Sequence, residues 1–170
     1  MLDKSSFSLE HVEKSIKYIK LRNGIPIKIK LPLYPSSMLA ALVAHSLGDG
    51  SINISGQVHY TNKNSELIDN FISLAQKVFK CPYTKTVRKG NQKDVYLPAI
   101  VGELLCLSGA IKGSKVKVDF DIPEWIKNGS KGIKVAFLRA LFDDEGSVVL
   151  KGKRRNINLT MTKLKEMADS

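Results

Sequence analysis

Apolar and polar positions follow two rhythms along this chain, and each change of rhythm marks a change of element. Residues 38–48 are almost continuously apolar over a helical length, with Ser36 or Ser37 available as N-cap. Ser51–Ser55 and Gln57–Lys63 then alternate every second residue across a Ser-Gly turn. This predicts a hairpin with Ile52, Ile54, Val58 and Tyr60 on one face and Ser51, Asn53, Ser55, Gln57, His59 and Thr61 on the other. Asn64-Ser65-Glu66 opens a helix whose Leu67, Ile68, Phe71, Leu74, Ala75 and Val78 form one stripe. Cys81–Lys89 and Lys93–Ala99 read as a second hairpin around Gly90-Asn91, Ile100–Ala110 as a third helix, and Ile111–Phe120 as a basic connector. The order α-β-β-α-β-β-α predicts an α+β unit, with helices on one face of an antiparallel sheet and the other face polar.

This unit, residues 37–121, has flanks of different character. In residues 1–36, Ser6 or Ser8 caps a helix with Leu9, Val12, Ile16 and Ile19 on one stripe and Gly24 as its stop. Ile25–Leu33 follows as a short extended arm. A packing appendage is the favoured reading of this segment over a DNA-contacting arm. Residues 122–170 restart the pattern. Pro123 suits a first helical turn, Trp125 reads as a core anchor between the units, and residues 132–144 as a helix. Val148–Lys151 and Asn156–Met161 form a hairpin around the basic turn Lys151-Gly152-Lys153-Arg154-Arg155. Thr162 caps a helix that would match residues 65–79, yet the sequence runs only to Ser170, so the second unit is expected to be incomplete. Its apolar surfaces then call for a longer gene product, a second chain that completes the unit, or a decayed function.

The two units are related by an internal repeat. AALVAHSLGDGS at residues 40–51 and AFLRALFDDEGS at residues 136–147 align at a constant offset of 96, matching at Ala40/Ala136, Ala44/Ala140, Asp49/Glu145, Gly50/Gly146 and Ser51/Ser147. Ala40, Ala44 and Gly48 share one helical face, as do Ala136 and Ala140, and small residues at that spacing let two backbones approach closely. Gly50 and Gly146 suit a left-handed position just past each helix. Packing the helices side by side brings Asp49 and Glu145 together at two negative helix ends, where a divalent cation, magnesium or another, would relieve the repulsion. Asp143 and Asp144 point away from Glu145 at these offsets and read as structural or solvated. His45 and Ser46 are more polar than a packed interface helix usually carries.

These residues resemble a known family. LRALFDDEG at residues 138–146, continued by Ser147-Val148, is similar to the second signature helix of the LAGLIDADG homing endonucleases, and SLGDGS at residues 46–51 to the first. The resemblance implies a LAGLIDADG homing-endonuclease-like fold, a first unit followed by a partial second one. It implies a metal-dependent, site-specific endonuclease for double-stranded DNA, of the type used in intron homing. Asp49 and Glu145 would be both the catalytic and the metal-binding residues. The family's sheets read the major groove, which makes Ser51, Asn53, Ser55, Gln57, His59, Thr61, Lys85, Arg88, Lys93, Lys151, Lys153, Arg154, Arg155, Asn156 and Asn158 the expected DNA-binding set. Lys85, Lys93 and Gln57 are also candidates for catalytic support.

Composition narrows the alternatives. Hydrophobic content of 43% and charged content of 25% are ordinary for a globular protein, and no apolar run reaches membrane-spanning length, so a cytoplasmic location is expected. Cys81 and Cys106 match no metal-binding spacing and fit a reducing compartment as buried or half-buried thiols. The net charge of +11 suits a polyanion and is spread along the chain: +4 over residues 1–36 (seven basic, three acidic), +3 over 37–121 (ten, seven) and +4 over 122–170 (ten, six). The competing reading is a binding module on the same fold that does not cut, such as a regulator, a maturase or a decayed endonuclease. A third has no nucleic-acid role, with the carboxylates merely ending two solvated helices.

Overall fold

The computed structural model describes residues 19–28, 32–115, 121–151 and 154–159, and in this range the chain is α+β. Helix α1 (Ser37–Leu47) starts at Ser36, whose hydroxyl accepts from the Leu39 amide at 3.2 Å. Strands β1 (Gly50–Ile52) and β2 (Val58–Asn62) form the first hairpin. Helix α2 (Ser65–Phe79) is capped by Asn64, which accepts from the Glu66 amide at 2.9 Å, and it buries Ile68, Phe71, Ile72, Ala75 and Phe79. Strands β3 (Thr84–Val87) and β4 (Lys93–Leu97) turn through Gly90 and Asn91, both at positive φ. Helix α3 (Ala99–Leu107), the short α4 (Glu124–Lys127) and the long α5 (Lys131–Glu145) follow, and β5 (Gly146–Lys151) pairs with β6 (Arg154–Leu159).

The four-stranded sheet is antiparallel in the order β1-β2-β4-β3. Its inner face carries Ile52, Val58, Tyr60, Val95 and Leu97, all buried against the helices. Helix α1 lies in the middle of this core, with every residue from Leu39 to Leu47 buried, because α2 and the sheet cover one side and α5 the other. That is why its sequence is apolar all round rather than striped. Trp125 anchors α4 to α3 by donating from its indole nitrogen to the Ser108 carbonyl at 2.8 Å.

Several expectations are corrected. Ile19 is not helical; it bridges Ile27 in antiparallel fashion, because a turn at Arg22-Asn23 folds the chain back. The rest of the expected first helix lies outside the described residues. Ile54 sits at the hairpin tip and is 86% exposed, since β1 ends at Ile52. Pro123 is the N-cap of α4 rather than its first residue. Arg154 and Arg155 belong to β6, paired with Lys151 and Leu150, rather than to a turn, and Gly152, Lys153, Thr160, Thr162 and the expected last helix lie outside the described residues.

Candidate catalytic centre at two helix ends

Among the described residues, helices α1 and α5 make the most extensive contact between elements. Ala40, Ala44, Gly48 and Ala140 are buried along it, and Ala136 is half-buried. The approach is closest near the C-termini, where a Cβ on Gly48 would stand 2.7 Å from the Cβ of Asp144. Neither Gly50 nor Gly146 is left-handed, contrary to expectation. Gly50 is required for room: a Cβ there would meet the His45 carbonyl oxygen at 2.5 Å, because only the two-residue turn Gly48-Asp49 separates α1 from β1. Gly146 is the extended C-cap through which α5 runs straight into β5.

Period-two geometry puts Val58, Tyr60 and Asn62 on the inner face of β2, and the last two reach the helix ends. Asn62 Nδ2 donates to Asp49 Oδ2 at 2.7 Å. The Tyr60 hydroxyl donates to Asp144 Oδ1 at 2.7 Å, and His45 Nδ1 lies 2.9 Å from Asp144 Oδ2. Asp144 and His45 have fully buried side chains, so Asp144 is structural but not solvated. Asp143, in contrast, is exposed beside Arg139 along the groove between α1, α2 and α5. The polar residues of α1 are thus explained: His45 serves Asp144, and the Ser46 hydroxyl returns to the Leu42 carbonyl at 2.8 Å.

Asp49 is half-exposed, and its carboxyl is pushed up to about 6. Burial is the largest cause, followed by the neighbouring charges of Asp144 and Glu145, with Asn62 and Lys115 acting in the opposite sense. The charges of Asp144 and Glu145 thus add to burial in disfavouring an ionised Asp49. Lys115 answers it. Its ammonium donates to the carbonyls of Leu47 (2.8 Å), Gly48 (2.5 Å) and Gly50 (2.8 Å), capping the negative end of α1. Burial pulls its pKa down, while Glu145, Asp49 and Asp144 hold it up. The connector delivers Lys115 to this place by a parallel bridge of Lys112 to Ile52, along the free edge of β1. Sequence reasoning passed over Lys115 and left Asp144 as either structural or solvated; a lysine in a basic connector looks like any other, and the close packing of Asp144 involves Gly48 of a different helix.

The expected DNA-binding residues separate into groups. Ser51, His59 and Thr61 lie on the outer, polar face of the sheet. Asn53, Ser55 and Gln57 are exposed at the hairpin tip, where Asn53 Oδ1 accepts from the Ser55 hydroxyl and the Gln57 amide. Arg88 is exposed at the end of β3. Lys85 and Lys93 are not on that face: they point to α2, where Lys85 pairs with Asp69 at 2.7 Å and Lys93 reaches the Ser65 hydroxyl. None of Lys85, Lys93 and Gln57 is placed at the helix ends. Asn156 and Asn158 share one face of β6, opposite Val149 and Ser147. Among the described residues no group of three or more His, Cys, Asp or Glu is arranged to hold a metal ion, and no helix is long and apolar enough to cross a membrane.

No family model matches the chain. Two curated proteins are similar to part of it or all of it. A tRNA-splicing ligase RtcB of Methanopyrus kandleri is 30% identical over 191 residues, which takes in 100% of this chain and 19% of the relative. A DNA-directed RNA polymerase subunit Rpo1N of Methanocaldococcus jannaschii is 27% identical over 157 residues, 78% of this chain and 11% of the relative. The chain thus spans less than a fifth of the length of the curated relatives it matches.

Proposed function

We propose that this protein is a site-specific double-stranded DNA endonuclease of homing type, built on a LAGLIDADG-like fold. The observation that carries the reading is the meeting of α1 and α5, which gathers Asp49, Asp144 and Glu145 beside Lys115 and pushes the Asp49 carboxyl up to about 6. Strain of this kind is costly for stability and typical of functional sites. The proposed ligands are a pair, the hard carboxylate oxygens of Asp49 and Glu145 at the two helix ends, and a pair suits a magnesium ion that keeps several waters and shares a phosphate. Such an ion, when bound, supplies a more acidic water and offsets charge on the phosphate. The chain's own contribution is to hold Asp49 through Asn62, to fix the end of α5 through Asp144, and to offset the gathered negative charge with the Lys115 ammonium that caps α1.

The comparisons support portability. The two relatives bear names of unlike activities, and each shares with this chain a segment of under a fifth of its length. A segment recurring inside otherwise different proteins behaves as a mobile module. The basic charge of +11 and the polar sheet face suit duplex DNA. The alternative is the same module binding DNA without cutting it, a regulator, maturase or decayed enzyme.

The test is nicking and cleavage of candidate target duplexes with magnesium, comparing wild type with Asp49→Asn and Glu145→Gln. The endonuclease reading expects metal-dependent scission that falls at least 100-fold in each variant. Salt-sensitive binding without scission would leave the binding module, and neither activity would overturn both readings.

A further inference from the structure

An acidic residue lies buried in the outer face of a sheet whose proposed ligand is an anion. Asp94, in the middle of β4, is 1% exposed. It faces outward, opposite Thr61 of β2 and Thr86 of β3. Two side chains explain it. His59 Nε2 lies 2.8 Å from Asp94 Oδ1, and Arg88 Nε lies 2.5 Å from Oδ2. Burial works to raise the Asp94 carboxyl, but the hydrogen bonds of His59 and Thr61 and the charge of Arg88 outweigh it and hold it below the usual carboxylate range. An ionised carboxylate only accepts, so His59 donates from Nε2 and keeps Nδ1 as its remaining polar atom. Tyr96 completes the arrangement. Its ring stacks on His59 at 4.8 Å and 13°, and its hydroxyl lies 3.5 Å from Arg88 Nη2.

The carboxylate is out of reach of solvent, while the groups it holds are not: the His59 side chain is 28% exposed and that of Arg88 56%. With Nε engaged, the terminal fork of Arg88 is the end left to bind. A guanidinium fork matches the paired acceptors N7 and O6 of guanine, and the exposed edge of the His59 ring lies beside it. Holding such side chains in place before binding removes the entropy cost of ordering them.

We propose that Asp94 is a positioning residue that holds Arg88 and His59 as a fixed pair of base readers, with Arg88 selecting guanine. This rests on the reading of the chain as a duplex-DNA binder. It differs from a phosphate clamp: a clamp needs only charge, and a buried carboxylate beside it would weaken it, whereas a reader needs direction.

The experiment is selection of bound duplexes from a randomised library by the full chain, comparing wild type with Asp94→Asn, Arg88→Ala and Arg88→Lys. Wild type is expected to enrich guanine at one or two positions. Arg88→Ala and Asp94→Asn should flatten the same positions by about tenfold or more. Arg88→Lys, which keeps the charge but not the fork, should not restore them. Binding to unrelated duplex should not weaken in Asp94→Asn, because the variant removes an acidic charge from the face. Unaltered profiles in Arg88→Ala and Asp94→Asn, or an equal loss for all sequences, would overturn the proposal alone. Should Asp94→Asn fail to fold, Arg88→Ala and Arg88→Lys decide, since Arg88 is exposed and outside the core. Failure of wild type to bind duplex in a salt-sensitive way would overturn the DNA reading and this proposal with it.

Discussion

At the scale of single residues, Asp49 is a carboxyl raised well above its ordinary range by its surroundings, and its titration has a definite sign. Its folded value of about 6 stands above the ordinary value of 3.8. The protein therefore prefers Asp49 protonated, and the associated stability is present in full below about 3.8 and lost as pH rises through about 6. Without metal, Asp49→Asn should be more stable than wild type at pH 7.5, and this advantage should shrink at pH 4.5. Magnesium requires the ionised carboxylate, so its binding should release a proton near pH 6, tighten from pH 5 to 7, and raise the Tm of wild type but not of Asp49→Asn. Thermal melts at two pH values with and without magnesium check every part of this. An equal Tm difference between the two proteins at both pH values would show that Asp49 is not strained.

At the scale of elements, the close approach of α1 and α5 depends on one glycine and one buried carboxylate acting together. Gly48→Ala places a Cβ against Asp144 and should cost about 1–3 kcal/mol by overpacking. Asp144→Ala strands His45 and Tyr60 without their acceptor, and should cost about 3 kcal/mol. In the double variant the two side chains no longer collide, so the combined loss should be smaller than the sum by about 1 kcal/mol or more. Urea denaturation of the four proteins measures this coupling, and strict additivity would mean that the helices do not meet as described. The sequence carried the outline of this contact, because small residues at a spacing of four and two acidic helix ends are visible in one dimension. It did not carry the role of Asp144, which a single-helix offset turns away from Glu145 and which packs closely against Gly48 of the other helix. Nor did it carry the place of Lys115, which depends on the bridge from Lys112 to Ile52. Lys85 and Lys93 failed for another reason. Alternation gives the period of a strand, but the residues of β3 are exposed throughout, so the pattern does not say which face looks to α2.

At the scale of the whole molecule, the excess of positive charge matters through where it is free to act. Cations committed to internal partners do little for a polyanion, and several here are committed: Lys85 to Asp69, Lys93 to Ser65, Lys112 to Glu103 and Lys127 to Asp121. Lys151 and Arg154 stand across from each other at the end of the β5–β6 hairpin. Duplex affinity should fall linearly with salt on logarithmic axes, each phosphate contact contributing a slope of about −0.9. Replacing Lys151 and Arg154 together by alanine should make that slope shallower by about one to two units. The same replacement of Lys85 and Lys93, although it removes as much formal charge, should leave the slope nearly unchanged. Fluorescence anisotropy with a labelled duplex between 50 and 200 mM salt separates the cases. Equal effects from the two pairs would mean that net charge alone governs binding, and that the orientation of the sheet toward α2 has no bearing on how the protein meets DNA.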